Sequence, residues 1–468
     1  MEVLVIASNQ AKEPYPVMPI GAVMLADLLE KRGDNVRLLD LCFSNDPIAE
    51  IQTALQSPTD MALVSFRNLN NHDILHITSY LPKLVAIAET IRAKNIPLYI
   101  GGAATAIAPE EILARTGADG VFVGSAKSFV NHLGAGTLQR GVMKDWNGET
   151  YVPSNIERWI DVNAYFKYER MIPLRLKRGC PFKCSYCNYN ALEGARDFIE
   201  PGDDLEKFIR QWQGRDICFD IVDSMFNVPE QWVIDVCRWL AERDLKGPFH
   251  ISAFTPIVKK AATLEAMMSA GATHGMIGAD SGCDAMLEAY NKPFRMADID
   301  RFLELRRDYD FRFFWTFIIG APGETLKTTE ETMRFIDRLP DTDPVYITTG
   351  VRIYPETDLY KRLTEEGRIN ESTSTADPLY YFSPELDAAR TTDVLLKWAE
   401  NNQNVLISTE TYTDAYQKAL EKAAAFGMQS PPTWRNLPVI KRIMKRYLAG
   451  QGGANHGRRY GQVSTGAK

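Results

Sequence analysis

No apolar run in this chain approaches the roughly 20 residues that a membrane helix needs, so an integral membrane protein is disfavoured. The opening MEVLVIASN has neither a basic leader nor a small-residue cleavage site, and a secretory signal is not expected. Histidine and cysteine are scarce, with 6 and 7 in 468 residues. The cysteine count is odd, and Cys42, Cys218, Cys237 and Cys283 are scattered, which argues against a disulfide framework and for a reducing, cytoplasmic compartment. Positive charge is not in excess either. The formal net charge of -7 and a pI near 5.6 give no electrostatic reason to bind nucleic acid. What remains, 45% hydrophobic and 24% charged residues, is the composition of a globular enzyme long enough for two or three domains.

The other three cysteines stand together in RGCPFKCSYCNYN, from Arg178 to Asn190. Cys180, Cys184 and Cys187 are spaced C-x3-C-x2-C, so one short loop can aim three soft thiolates at a single point. Thiolates select iron–sulfur clusters, zinc or copper(I). A structural zinc site closes with a fourth Cys or His, yet the nearest histidines in sequence are His132 and His250. The bland alternative is a chance grouping of buried thiols; the flanking Gly179 and Pro181 speak for a shaped loop. Three ligands leave a metal position open, and an open position is a signal of function.

The pattern along the chain predicts an α/β protein: a Rossmann-like, doubly wound parallel sheet, then a partial (β/α)6 barrel, then a helical C-terminal region. In residues 1–145 strands are expected at 3–7, 36–41, 61–66, 98–100 and 120–123, with helices at 20–31 and 75–92. Ligands of such sheets bind beyond the strands' carboxyl ends, here the loops 8–19, 67–73, 101–105 and 124–127. Gly101, Gly102 and Gly124 would let backbone approach a bulky ligand closely. No G-x-G-x-x-G follows the first strand, so a dinucleotide is not the natural guess. Residues 146–168 lack periodicity and read as a linker. The barrel, 169–368, draws on strands near 171–177, 217–222, 249–253, 274–279, 311–319 and 345–353, with its chemistry at the strands' carboxyl ends. Residues 369–449 read as helical, clearest at 387–401 and 413–426, and 450–468 as a disordered tail.

With Tyr186 just before its last Cys, the cysteine loop resembles the cluster motif of the radical S-adenosylmethionine (SAM) superfamily. The resemblance implies a [4Fe-4S] cluster whose unique iron is chelated by the amino and carboxylate groups of SAM. It further implies one-electron cleavage of SAM to a 5'-deoxyadenosyl radical, and an external reductant such as flavodoxin or ferredoxin. The cofactors then carry the hard chemistry and the protein supplies placement. FDIVDSMFNVPEQW resembles the family segment that meets the SAM amino group, which makes Asp223 the expected contact with Ser224 beside it; a turn cap is the other reading of Asp223. GADSGCDAMLEAYNKPF resembles the family's glycine, acid, serine, glycine segment, with Asp280 where Glu is commoner and Ser281 set to bond SAM's carboxylate or ribose. FIIGAPGET resembles the segment whose backbone meets adenine, through Gly320 and Gly323. Arg352, in VRIYPETDLY, would pair with a SAM carboxylate or an acidic substrate, or else close the barrel through a structural ion pair.

The N-terminal module resembles the cobalamin-binding domain that precedes many radical SAM domains, on PYPVMPIGAVMLADLLEKRG, VSFRNLNNHD and YIGGAATAIAPEEIL. The D-x-H-x-x-G whose His ligates cobalt in other cobalamin proteins is absent. Arg67 and Asn68 match an Arg-Asn pair of many relatives, and Arg67 is expected near the corrin's lower face without ligating cobalt, since a guanidinium has no free lone pair. Gly101, Gly102, Gly124 and Ser125 would lie along the corrin, although GSAK replaces the acidic residues common at that loop. The alternative is a Rossmann-like scaffold that binds no cobalamin. The function implied is a cobalamin-dependent radical SAM methyltransferase that moves methyl from SAM, via methylcobalamin, to an unactivated carbon of a small-molecule substrate. A radical rearrangement, cyclisation or oxidation, with cobalamin absent or not a methyl carrier, is the competing reading.

Overall fold

The computed structural model describes residues 1–147, 150–194, 196–428 and 432–450; beyond Gly450 the expected tail lies outside the described residues. Six parallel strands make the first sheet: β1 (Glu2–Ala7), β2 (Asn35–Asp40), β3 (Met61–Ser65), β4 (Leu98–Gly101), β5 (Gly120–Gly124) and β6 (Gly141–Asp145), in the order β2-β1-β3-β4-β5-β6. β1, β3 and β5 are buried at nearly every position, as parallel strands must be when helices cover both faces. β1 pairs with both β2 and β3, so strand order reverses there. The loops that leave β1 and β3 therefore emerge side by side at the switch point.

Two local readings change. β6, GVMKD, is an added edge strand whose mixed polar composition hid it from hydrophobic patterning. The helix expected from residue 75 begins only at Leu81, with Pro82 in its first turn. Upstream, Asp73 accepts from the N–H groups of Leu75 and His76 and holds that stretch in a turn.

The remaining strands are β7 (Met171–Leu174), β8 (Lys177–Arg178), β9 (Asp197–Phe198), β10 (Cys218–Ile221), β11 (Phe249–Phe254), β12 (Ala272–Asp280), β13 (Arg312–Ile319), β14 (Val345–Thr349), β15 (Val351–Arg352), β16 (Tyr380–Tyr381) and β17 (Val405–Ile407). Seven run parallel in the order β17-β14-β13-β12-β11-β10-β7. Each new strand adds beside the last, the winding of a (β/α) barrel, but among the described residues β7 and β17 do not pair and the barrel-like sheet stays open. The expected sixth strand breaks at Gly350, whose φ of 82° lies in the left-handed region, and β15 turns away to pair with β16. The first expected strand likewise ends at Leu174, since β8 leaves to pair with β9 around the cysteine loop. β17, within the region read as helical, is the seventh strand.

The stretch read as a linker is packed. Val152, Ile156, Trp159, Ile160, Val162 and Tyr165 share one core cluster with residues of both sheets, and Tyr165 donates its hydroxyl to Asp40 at 2.6 Å. Among the described residues no helix is long and apolar enough to cross a membrane.

Candidate active site

The three cysteines leave β8 on a loop held from several sides. Glu193, buried at the end of the short helix Tyr189–Glu193, accepts from the Gly179 N–H at 2.7 Å, from Arg175 at 3.1 Å and from the Ser224 hydroxyl. The Ser185 N–H donates to the Tyr290 carbonyl at 2.9 Å, and Asn291 donates to the Lys183 carbonyl at 2.7 Å. Cys180, Cys184 and Cys187 are free and only partly buried. Burial pushes all three thiols up, while the Lys292 ammonium opposes it at each. Among the described residues no three His, Cys, Asp or Glu side chains gather tightly enough to share one metal ion. A cluster gives each thiolate its own iron, so three partly exposed thiolates on one loop fit a cluster better than a single zinc.

Asp223 lies just past β10 and is 2% exposed. One carboxylate oxygen accepts the N–H groups of Leu176 and Lys177, at 2.8 and 3.0 Å, on the approach to the cysteines. The other is buried and, among the described residues, without a partner. Burial pushes the carboxyl up, opposed by those N–H groups and Lys177. Such an orphan acceptor suits an ammonium donor. Asp280 ends β12 with a φ of 65° and receives both the Tyr186 hydroxyl and the Lys292 ammonium, the latter at 2.8 Å. Asp223, Ser224, Tyr186 and Asp280 are thus gathered around the cysteine loop.

Other expected residues are engaged elsewhere. Ser281 is fully buried, 3.0 Å from the Thr332 hydroxyl and accepting from the Cys283 N–H. Gly320 needs its missing side chain, because a Cβ there would stand 2.5 Å from the Phe382 ring; Gly323 is open. Arg352 is a clamp: its guanidinium donates to Asn70 at 3.0 Å and to the carbonyls of Ile353, Leu379 and Asp377. Every one of these acceptors is neutral, so the structural ion pair that was one reading of Arg352 is not formed among the described residues. Sequence reasoning missed Glu193 and Lys292. Glu193 had one available signal, its position six residues after the last Cys, and Lys292 lay unremarked inside the segment quoted for Asp280.

On the first sheet, Arg67 and Asn68 follow β3 at the switch point. Asn68 donates to Asn9 at 3.2 Å, and the Asn9 amide nitrogen is itself buried, without an acceptor among the described residues. Crowding around it, and then Arg352 and Arg67, push the His72 imidazole down, although the residue is exposed. A Cβ on Gly102 would meet Phe66 backbone at 2.6 Å, and one on Gly124 the Asp145 carbonyl at 1.9 Å, so chain packing alone requires both glycines; at Gly101 the nearest atom would be 3.6 Å away. Ser125 caps the helix Ala126–Ala135 by accepting from the Ser128 N–H at 3.0 Å. An exposed guanidinium, an orphan amide and an exposed imidazole at one crevice suit a large ligand rich in amides.

The two loop sets meet. Tyr189, beside the cysteines, exposes 45% of its surface, yet burial pushes its hydroxyl up and both Cys187 and Arg67 act on it. The Tyr354 ring lies 6.4 Å from that of His72, which joins the loops of the two sheets. A cavity of about 230 Å³ opens along the same seam, lined by Ile107, Glu111, Lys144, Asn188, Ala191 and Tyr354 among others.

Fold and site define a cofactor-dependent enzyme whose two parallel sheets present their loops to one another. Residues 174–336 match the Radical SAM superfamily and residues 10–133 the B12 binding domain. The chain belongs to the radical SAM superfamily and carries a B12 binding domain ahead of its radical SAM domain. The structure of the radical S-adenosylmethionine methyltransferase TsrM from Kitasatospora setae, with tryptophan and a SAM analog bound, superposes with a TM-score of 0.81 at 17% identity, covering 96% of this chain and 99% of that one. The cobalamin-dependent radical enzyme OxsB gives 0.65 at 14% identity, covering 99% and 77%. At these identities the likeness is one of fold. By sequence, the anaerobic magnesium-protoporphyrin IX monomethyl ester cyclase of Rubrivivax gelatinosus is 26% identical over 228 residues, 47% of this chain but only 38% of the cyclase. The bacteriochlorophyllide d C-8(2)-methyltransferase of Chlorobaculum tepidum is 21% identical over 321 residues, 64% of this chain and 70% of that protein.

Proposed function

We propose that this radical SAM enzyme is a cobalamin-dependent methyltransferase acting on an unactivated carbon of a small molecule, with units 1–145 and 169–368 dividing the work. The observation that carries the reading is the seam: Arg352, from the cluster side, donates to Asn70 at 3.0 Å, and the Tyr354 ring lies 6.4 Å from that of His72 on the cobalamin side. When bound, SAM supplies methyl group and radical, the cluster supplies an electron and cobalamin carries the methyl. Cys180, Cys184 and Cys187 would hold a [4Fe-4S] cluster with one iron left open. The unpaired oxygen of Asp223 would take the SAM ammonium. Tyr186, Asp280 and Lys292 brace the loop's last turn, while Glu193 fixes its first. Arg67, Asn68 and Asn9 would lie against the corrin, and Tyr189 and Tyr354 keep bulk water from the seam.

Two of the proteins matched by sequence are named methyltransferases, and the one from Streptomyces laurentii is a tryptophan 2-C-methyltransferase, 25% identical over 249 residues. The match to the cyclase favours a second reading, a radical cyclisation or oxidation without methyl transfer. Anaerobic reconstitution with iron, sulfide and hydroxocobalamin, then incubation with SAM, reductant and candidate substrates, separates the two. S-adenosylhomocysteine together with a methylated product supports methyl transfer; 5'-deoxyadenosine without S-adenosylhomocysteine supports the second reading.

A further inference from the structure

The inner face of the second sheet has a chemistry of its own. Along β13 the side chains alternate: Phe313, Trp315, Phe317 and Ile319 are buried, while Phe314, Thr316 and Ile318 stay half-buried. β14 repeats the pattern with Tyr346 and Thr348 half-buried. Half-buried residues on the inner side of a sheet mean that this side borders open space. Asp220 of β10 and Ser252 of β11 share that face and are also only half-buried.

One end of the space is stopped by Trp434. Its ring lies 5.4 Å from His274, 5.6 Å from Phe314 and 6.0 Å from His250. The indole N–H donates to His250 Nε2 at 3.3 Å, and His250 Nδ1 meets Asp220 Oδ1 at 2.8 Å. A ring that accepts at one nitrogen and donates from the other is neutral, so His250 orients Asp220 without cancelling its charge. Ser252 donates to the same oxygen at 2.6 Å. Among the described residues nothing donates to Asp220 Oδ2, and no Lys or Arg pairs with the carboxylate. Arg312 and Arg435 approach from the side of His274, and Arg312 is paired with Asp310. Burial and then Asp220 push up the hydroxyl of Tyr15, on the loop after β1, so it approaches that carboxylate.

An uncancelled carboxylate between aromatic walls is a cation site by charge and by ring quadrupole together. We infer that this chamber is the substrate site and that it takes a small aromatic amine, its ammonium on Asp220 Oδ2 and its ring against Phe314 and Tyr346. The inference rests on the reading that the chain works on a small molecule, and it names the class of that molecule.

Calorimetry on the cluster- and cobalamin-loaded protein with two probes that share one ring and chain, tryptamine and indole-3-propionate, tests it. Tryptamine is expected to bind at least about tenfold more tightly, the worth of one charge-assisted hydrogen bond. The Asp220→Asn variant should remove that preference while keeping its iron and cobalt. Equal affinity for the two probes in the native protein, or unchanged tryptamine binding by Asp220→Asn, overturns the assignment. So does failure of tryptamine, tyramine and phenethylamine all to bind. The probe comparison on the native protein decides the matter even if the variant does not fold. Intact amine binding without S-adenosylhomocysteine would count instead against methyl transfer.

Discussion

The loops that end the first sheet and those that end the second are built in opposite ways. Around the cysteines the polar groups are committed apart from one Asp223 oxygen: Asp280 to Tyr186 and Lys292, Glu193 to Gly179, Arg175 and Ser224. At the switch point of the first sheet, groups are left over. Among the described residues, exposed Arg67 makes one 3.4 Å contact, to its neighbour Asn68, and the Asn9 amide nitrogen has no acceptor. A site that must hold a small inorganic cluster in one geometry gains from a rigid shell. One that receives a large organic cofactor keeps its hydrogen bonds in reserve for it.

The contrast can be broken at its strong end first. Replacing any of Cys180, Cys184 or Cys187 with Ala should abolish iron incorporation, from about four per chain to background, and stop 5'-deoxyadenosine formation with the fold intact by circular dichroism; normal iron in such a variant would end the cluster assignment. Arg67→Ala should leave iron unchanged and weaken cobalamin retention about tenfold, the effect of losing one hydrogen-bonding cation, read as cobalt per chain after desalting. Equal loss of both metals would mean that the two loop sets are not separate sites. Arg352→Ala tests the seam itself. It strands the Asn70 side chain and three carbonyls, and should cost about 3 kcal/mol of stability in denaturant titration.

The smallest effect lies under the second sheet, where Glu169 takes the Thr433 N–H on both oxygens at 3.0 Å and burial pushes its carboxyl from 4.5 up to about 8. The folded state holds that proton more tightly than the unfolded one, so the contribution is fully present below pH 4.5 and is lost as pH rises through 8. Thermal denaturation from pH 5 to 8 should show this decline in the native protein and a flatter profile for Glu169→Gln.

What could be read from the chain was whatever is short in sequence. The C-x3-C-x2-C loop, the β1 and β3 strands and the loops after them rest on residues within a dozen positions of each other. Long-range commitments were invisible. Arg352 alternates with Tyr354 as a site residue would, and nothing nearby says that its partner is Asn70, 282 positions away. Asp223 could be placed past a strand end, but not its grip on the N–H groups of Leu176 and Lys177. β17 was lost inside a region of helical periodicity because three residues carry no period. Gly102 and Gly124 were chosen for freedom toward a ligand, and packing against Phe66 and Asp145 gives the same residue type for another reason.

The turn that follows β3 has an implication for how the protein is made. Asp73 accepts from Ser408 at 2.6 Å, His76 lies 3.0 Å from the Thr409 hydroxyl and stacks on Tyr412, and Tyr380 donates to the Asn71 carbonyl at 2.6 Å. Every one of these partners is synthesised more than 300 residues later. A nascent chain can therefore close its first sheet on the ribosome, whereas the crevice beside Arg67 takes its final shape only after residue 412 has emerged.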